Sequence, residues 1–144
     1  MQPLVLFCVF IAATAVNSCY AISEIMQTVE AKKLECAKDL NLDIEKLMKA
    51  QETDELSDEH KKEMGCVHAC VMEDMKILED GKISLDKLKE IHEEVKTQAP
   101  NFEGVEFDVM EACANGVADE ADRCEIGHKF DECMRHALKE HHIE

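Results

Sequence analysis

Two cysteines four residues apart with a histidine between them, Cys66, His68 and Cys70 in the stretch CVHAC, are the residues of this chain best suited to chemistry. Cysteine and imidazole together can hold zinc, a close cysteine pair can cycle between thiol and disulfide, and separate cysteines can anchor cross-links. On a helix, residues four apart share a face with Cβ atoms about 5–6 Å apart. A disulfide needs about 3.5–4.5 Å, so Cys66 and Cys70 cannot bond to each other. His68 lies about 200° around the helix from Cys66 and faces away from both sulfurs. Zinc would want a second ligand pair at short spacing. The chain offers only Cys124 and Cys133, nine apart, and His141 and His142 near its end. The spacing is not the CxxC of redox motifs either. No metal or cofactor is expected, and two sulfurs on one helix face point to disulfides running in different directions.

What the cysteines are for depends on the compartment. Residues 3–16, PLVLFCVFIAATAV, form an unbroken run of 14 small and apolar residues, and no charged residue precedes Glu24. That is short of the ~20 residues a membrane-spanning helix needs. It fits the apolar region of a secretory signal peptide, although the usual basic start is missing. The small residues suit cleavage after Ser18 or after Ala21. Cleavage after Ala21 removes Cys8 and Cys19 and leaves six cysteines: Cys36, Cys66, Cys70, Cys113, Cys124 and Cys133. Cleavage after Ser18 would leave an odd thiol in an oxidising compartment. The expected organisation is a signal peptide over 1–21 and one secreted domain over 22–144, closed by three disulfides. No second apolar run of comparable length follows, so a soluble product without stable membrane insertion is expected.

Charge excludes several partners. The chain carries 16 basic and 32 acidic residues, a balance of −16, all of it beyond the apolar run. Nucleic acid, which needs cationic groups against its phosphates, is not an expected partner, and neither is an anionic lipid surface. An acidic surface keeps a concentrated protein soluble. Beyond residue 21 there is no Trp or Tyr, and Phe is confined to Phe102, Phe107 and Phe130, whereas Met occurs seven times. Methionine is flexible and polarisable, and suits surfaces that must fit several shapes.

Periodicity predicts helices almost throughout. Ile22, Ile25, Met26, Val29, Cys36 and Leu40 trace a first helix ending near Asn41, and LDIEKLMKA a short second one. Ser57, with Asp58 and Glu59 behind it, should cap a third. There Met64, Val67, Val71, Met75 and Leu78 step by three and four. EDGKI reads as a turn, after which Ser84 caps a fourth helix carrying Leu85, Leu88, Ile91, His92 and Val95. APNFEG breaks the chain again. A fifth helix holds Val109, Met110, Cys113 and Ala114, and a sixth Ile126, Phe130, Cys133, Met134, Ala137 and Leu138. No alternating strand pattern, repeat or low-complexity tract stands out, so the fold class is all-α. Six cysteines allow 15 pairings. Excluding Cys66 with Cys70 and Cys124 with Cys133 leaves ten of them open.

The intervals C-x29-C-x3-C-x42-C-x10-C-x8-C, in an acidic helical chain behind a signal peptide, resemble the six-cysteine insect odorant-binding proteins, including the pheromone-binding and general odorant-binding proteins. CVHAC and CEIGHKFDEC carry the most specific spacings, and ILEDGKI resembles the family's exit from its third helix. The resemblance implies six disulfide-stapled helices around an internal apolar cavity for small hydrophobic ligands. It implies the interlocked pairing Cys36–Cys70, Cys66–Cys124 and Cys113–Cys133. As lining it implies, together with periodicity, Val29, Met72, Met75, Leu78, Ile83, Leu88, Ile91, Phe107, Met110, Phe130 and Met134. Each of these could equally be ordinary core. His68 falls at a position that is apolar in relatives, and here it is expected to reach water rather than a ligand. The implied partners are a small hydrophobic ligand and a membrane olfactory receptor, with the carrier a monomer or weak homodimer in sensillar lymph or another body fluid.

Rival functions fit less well. In LEDGKISLDKL, Gly81 and Ile83 sit like the sixth and eighth positions of an EF-hand loop, but its first and twelfth would be Lys76 and Lys87, both cationic. No G-x-S-x-G motif or phospholipase-like histidine context occurs, so no enzyme is expected. The cationic face used in membrane attack is absent. Among carriers, transport of lipids or hydrophobic metabolites in haemolymph, gland or reproductive fluid stays open beside odorant transport. Eleven residues follow Cys133, too few to refill a cavity. At most they form a lid with Ile143 as a weak plug, which acid is expected to loosen around His136, His141 and His142.

Overall fold

Side chains that cap helices, and turns that demand positive φ, decide where this chain changes direction. The computed structural model describes residues 13–53, 56–100 and 104–141, with side chains from 24 to 140. Six α-helices occur among the described residues: α1 Ala13–Asp39, α2 Ile44–Glu52, α3 Asp58–Asp74, α4 Leu85–Gln98, α5 Phe107–Asn115 and α6 Arg123–His141. Asp43 Oδ1, Ser57 Oγ and Ser84 Oγ accept from the backbone N–H of Lys46, His60 and Lys87, each at 3.2 Å, and so start α2, α3 and α4. Each bond satisfies one of the orphan donors at a helix N-terminus.

Two helices end in the same way. At the end of α1, the Leu42 N–H donates to Ala37 O at 2.8 Å and the Asn41 N–H to Lys38 O at 3.0 Å, with Asn41 at φ 58°. At the end of α3, Ile77 donates to Met72 O at 2.8 Å and Lys76 to Glu73 O at 3.1 Å, with Lys76 at φ 63°. Both are Schellman caps. The second corrects the expectation that α3 runs on to Leu78. Leu78–Glu79 is instead strand β1, antiparallel to β2 Lys82–Ile83, with Leu78 opposite Ile83. The two loop residues, Asp80 and Gly81, both have positive φ, as a tight hairpin loop of right-handed twist requires. The all-α class holds with this one short hairpin added.

Helix α1 already runs through Ser18 and Ala21, where cleavage is expected. The expected inner face of α1 needs correction at two places. Met26 is 61% exposed, and Leu40 lies beyond the last helical residue and is exposed too. Burial instead closes on Cys36 and Ala37.

The core has two clusters. Cys36, Ala37, Ile44, Leu47, Met64, Val67 and Val71 join α1, α2 and α3. Ala69, Met72, Leu78, Leu88, Cys113, Ala114, Val117, Ile126 and Phe130 join α3, the hairpin, α4, α5 and α6. No polar or charged residue among the described residues is fully buried. The most extensive helix contact is α3 against α6. There the backbones touch: a Cβ on Gly127 would overlap the Gly65 carbonyl oxygen and come within 2.8 Å of the Ala69 nitrogen. On the outside, Arg123 Nε donates to Glu73 Oε1 at 2.6 Å across the same two helices.

Candidate functional site

Helix α3 is the hub of the cross-links. Cys36–Cys70 ties it to α1, Cys66–Cys124 ties it to the first turn of α6, and Cys113–Cys133 ties α5 to α6, with Cα separations of 5.9, 4.1 and 5.7 Å. The ligand atoms of Cys36, Cys70 and Asp74 lie within 4.8 Å of one another. Both sulfurs are spent in one disulfide, so neither can become the thiolate a metal needs.

Around this frame the expected lining residues divide. Met72, Leu78, Leu88 and Phe130 are buried together in the larger cluster, and Ile83, Phe107 and Met134 pack against it while remaining partly exposed. Met75 packs against the smaller cluster instead. Val29, Ile91 and Met110 are partly buried and belong to neither cluster. Residues of the larger cluster absent from the expected lining are Ala69, Ala114, Val117, Cys113 and Ile126. Of these, Ile126 stands in the period of α6 and Cys113 and Ala114 in that of α5. Ala69 is too small to signal burial, and Val117 lies beyond the Gly116 helix stop. His92 stands beside Phe107, ring centroids 6.0 Å apart.

His68 does not reach water as expected. Its side chain is 14% exposed, its Nδ1 stands 3.6 Å from Asp131 Oδ1, and its Nε2 is buried without a hydrogen-bond partner. Asp131 in turn accepts from Arg135 Nε at 2.8 Å. Burial pushes the His68 imidazole below its ordinary pKa. The Asp131 charge opposes this, while Lys33 of α1 and Arg135 and His128 of α6 push further down. A lowered folded pKa means that the unfolded chain binds the proton more tightly. This contribution to stability is therefore complete above the unfolded histidine value of about 6.5 and is lost as pH falls through it. Thermal unfolding between pH 7.5 and 5 should show a fall in stability that is shallower in His68→Gln. An equal fall in both proteins would contradict this account.

The open hollows at the surface include three lined by described residues. One of about 500 Å³ is bordered by Leu34, Ala37 and Leu42 at the α1–α2 corner, and another of about 500 Å³ by Val109, Ala112, Cys133 and His136 between α5 and α6. The third, of about 310 Å³, lies between the start of α3 and the outer face of α6. His136 borders two of the three. His142, Ile143 and the side chain of His141, on which the expected lid rests, lie outside the described residues.

Six helices locked by three interlaced disulfides over an apolar core define an all-α, disulfide-stapled domain. The PBP/GOBP family model matches residues 20–137. The chain belongs to this family, the insect odorant- and pheromone-binding proteins, and its six bonded cysteines fit the six-cysteine type. Family members are small binding proteins for hydrophobic ligands rather than enzymes. No curated protein and no solved structure matches the chain. No helix among the described residues is long and apolar enough to cross a membrane.

Proposed function

We propose that the chain is secreted after cleavage behind Ala21, and that residues 22–144 carry an odorant, pheromone-like molecule or other semiochemical through aqueous lymph. The ligand occupies an internal apolar space bounded by α3, α4, α5, α6 and the hairpin. The observation that carries this reading is that Ile83, Phe107 and Met134 pack against an entirely apolar cluster yet keep part of their surface free. Large apolar side chains in that condition can gain by meeting a guest, at about 25 cal/mol per Å² of apolar surface removed from water. With few aromatic rings nearby, shape and the adaptable Met72 and Met134 set selectivity. Delivery to a membrane olfactory receptor by a monomer or weak homodimer belongs to the same proposal.

A hollow interior forfeits packing, about 24 cal/mol per Å³ in cavity-forming variants. In this reading the three disulfides offset that loss. The test is titration with N-phenyl-1-naphthylamine, followed by displacement with long-chain alcohols and esters. Phe130→Ala should weaken probe binding about tenfold, since a buried Phe is worth about 1.5–3 kcal/mol. If the probe does not bind, or binds the variant equally well, the internal site is not where this reading puts it.

A further inference from the structure

Acids outnumber Lys and Arg by 32 to 16 in this chain, yet one hollow inverts the ratio. Lys61 on α3 and His128, Arg135, His136 and Lys139 on α6 border the 310 Å³ space, and the other walls are Leu56 and a single acid, Glu132. Positions 128, 132, 135, 136 and 139 recur every three or four residues, so α6 presents them as one stripe. The Cys66–Cys124 bond and the Gly65–Gly127 contact fix that stripe beside the first turns of α3. None of these walls belongs to either core cluster.

Arg135 is paired with Asp131, but the two lysines are not neutralised among the described residues. Glu132 Oε2 is 3.5 Å from His128 Nε2. Arg135 gives its Nε–H to Asp131 at 2.8 Å, which leaves the other four guanidinium N–H groups. Lys61 and Lys139 enter no ion pair among the described residues. Like charges around one hollow repel, and an anion settling among them relieves that repulsion. A guanidinium fork matches a carboxylate with two parallel hydrogen bonds, and Leu56 offers an apolar wall beside it. The volume lies at the small end of ligand pockets, about 300–1,000 Å³, which suits a short molecule.

We infer that this hollow is a second binding site, separate from the apolar core, for a short-chain carboxylate whose head meets Arg135, Lys61 and Lys139 and whose tail lies against Leu56. The site does not depend on the internal cavity, and the two can be told apart in one experiment. The full oxidised chain is titrated calorimetrically with sodium octanoate and with octan-1-ol, in the presence and absence of N-phenyl-1-naphthylamine. Octanoate should bind without displacing the probe, more tightly than octanol, and more weakly in high salt. Lys61→Glu combined with Lys139→Glu should cost octanoate at least about tenfold in affinity and leave the probe's affinity unchanged. The milder Lys61→Gln and Lys139→Gln pair should move octanoate in the same direction by less, which guards against misfolding of the reversed-charge protein. Displacement of the probe by octanoate, equal binding to the variants, or no octanoate binding overturns the inference. A chain that takes octanoate but never the probe keeps this site while removing the carrier proposal.

Discussion

Serine at both Cys66 and Cys124 is expected to destabilise the protein by about 4 kcal/mol, the largest loss of the three paired replacements. The bond closes a sequence separation of 58 residues, against 34 for Cys36–Cys70 and 20 for Cys113–Cys133. Restricting the unfolded chain predicts about 4 kcal/mol for the longest loop and about 3 kcal/mol for the shortest. The ranking should be sharper than chain entropy alone gives, because Cys66–Cys124 clamps the α3–α6 contact, the most extensive in the fold. Cys113–Cys133 joins the shorter α5 to α6 and leaves Cys133 exposed. Urea unfolding of the three double-serine proteins measures the order directly. A Cys113/Cys133 variant that unfolds first would show that the stability of this fold does not centre on α3.

The second large effect is expected at Gly127, where alanine should cost about 3 kcal/mol, the upper end for overpacking a core. The added Cβ would press on the Gly65 carbonyl and the Ala69 nitrogen, which are backbone atoms of a helix and cannot rotate aside. The helices would have to part, and the disulfide only one turn away resists that. Gly116 supplies the control. A Cβ there would meet the Cys113 and Ala112 oxygens at 3.4 and 3.5 Å, and its φ of −63° suits any residue. Gly116→Ala should therefore be neutral or slightly stabilising. Equal denaturation midpoints for the Gly127 and Gly116 variants would mean that α3 and α6 do not touch backbone to backbone.

Sequence reasoning reached the helices through local signals. Ser57 and Ser84 stand immediately before acidic or apolar-periodic runs, and both cap as their chemistry demands. The period of α6 exposes Ile126, Phe130 and Met134 as one face, and the larger cluster contains or touches all three. What escaped depends on partners distant in the chain. Gly65 and Gly127 look like weak points in helices until the second helix is laid on the first. His68 is largely enclosed, and the Asp131 that faces it comes 63 residues later. The hairpin has two residues per strand, too few for alternation to show, and Lys76 at positive φ ends α3 where a glycine would ordinarily announce it. The basic hollow draws on α3 and α6 together, so neither segment shows it alone. The disulfide pairing came through likeness of spacing, since helix geometry by itself left ten arrangements open.

The central claim is that cross-linked helices surround an apolar space occupied by a guest. Native mass spectrometry of the chain collected from the medium of secreting cells tests it most directly. The account predicts a polypeptide beginning at Ile22, lighter than the fully reduced form by six hydrogens for its three disulfides. Part of the population should carry an apolar small molecule that leaves on gentle collisional heating and returns when a long-chain alcohol is added. A fully oxidised chain that appears bare and takes up no such molecule, or a secreted chain with free thiols, contradicts it.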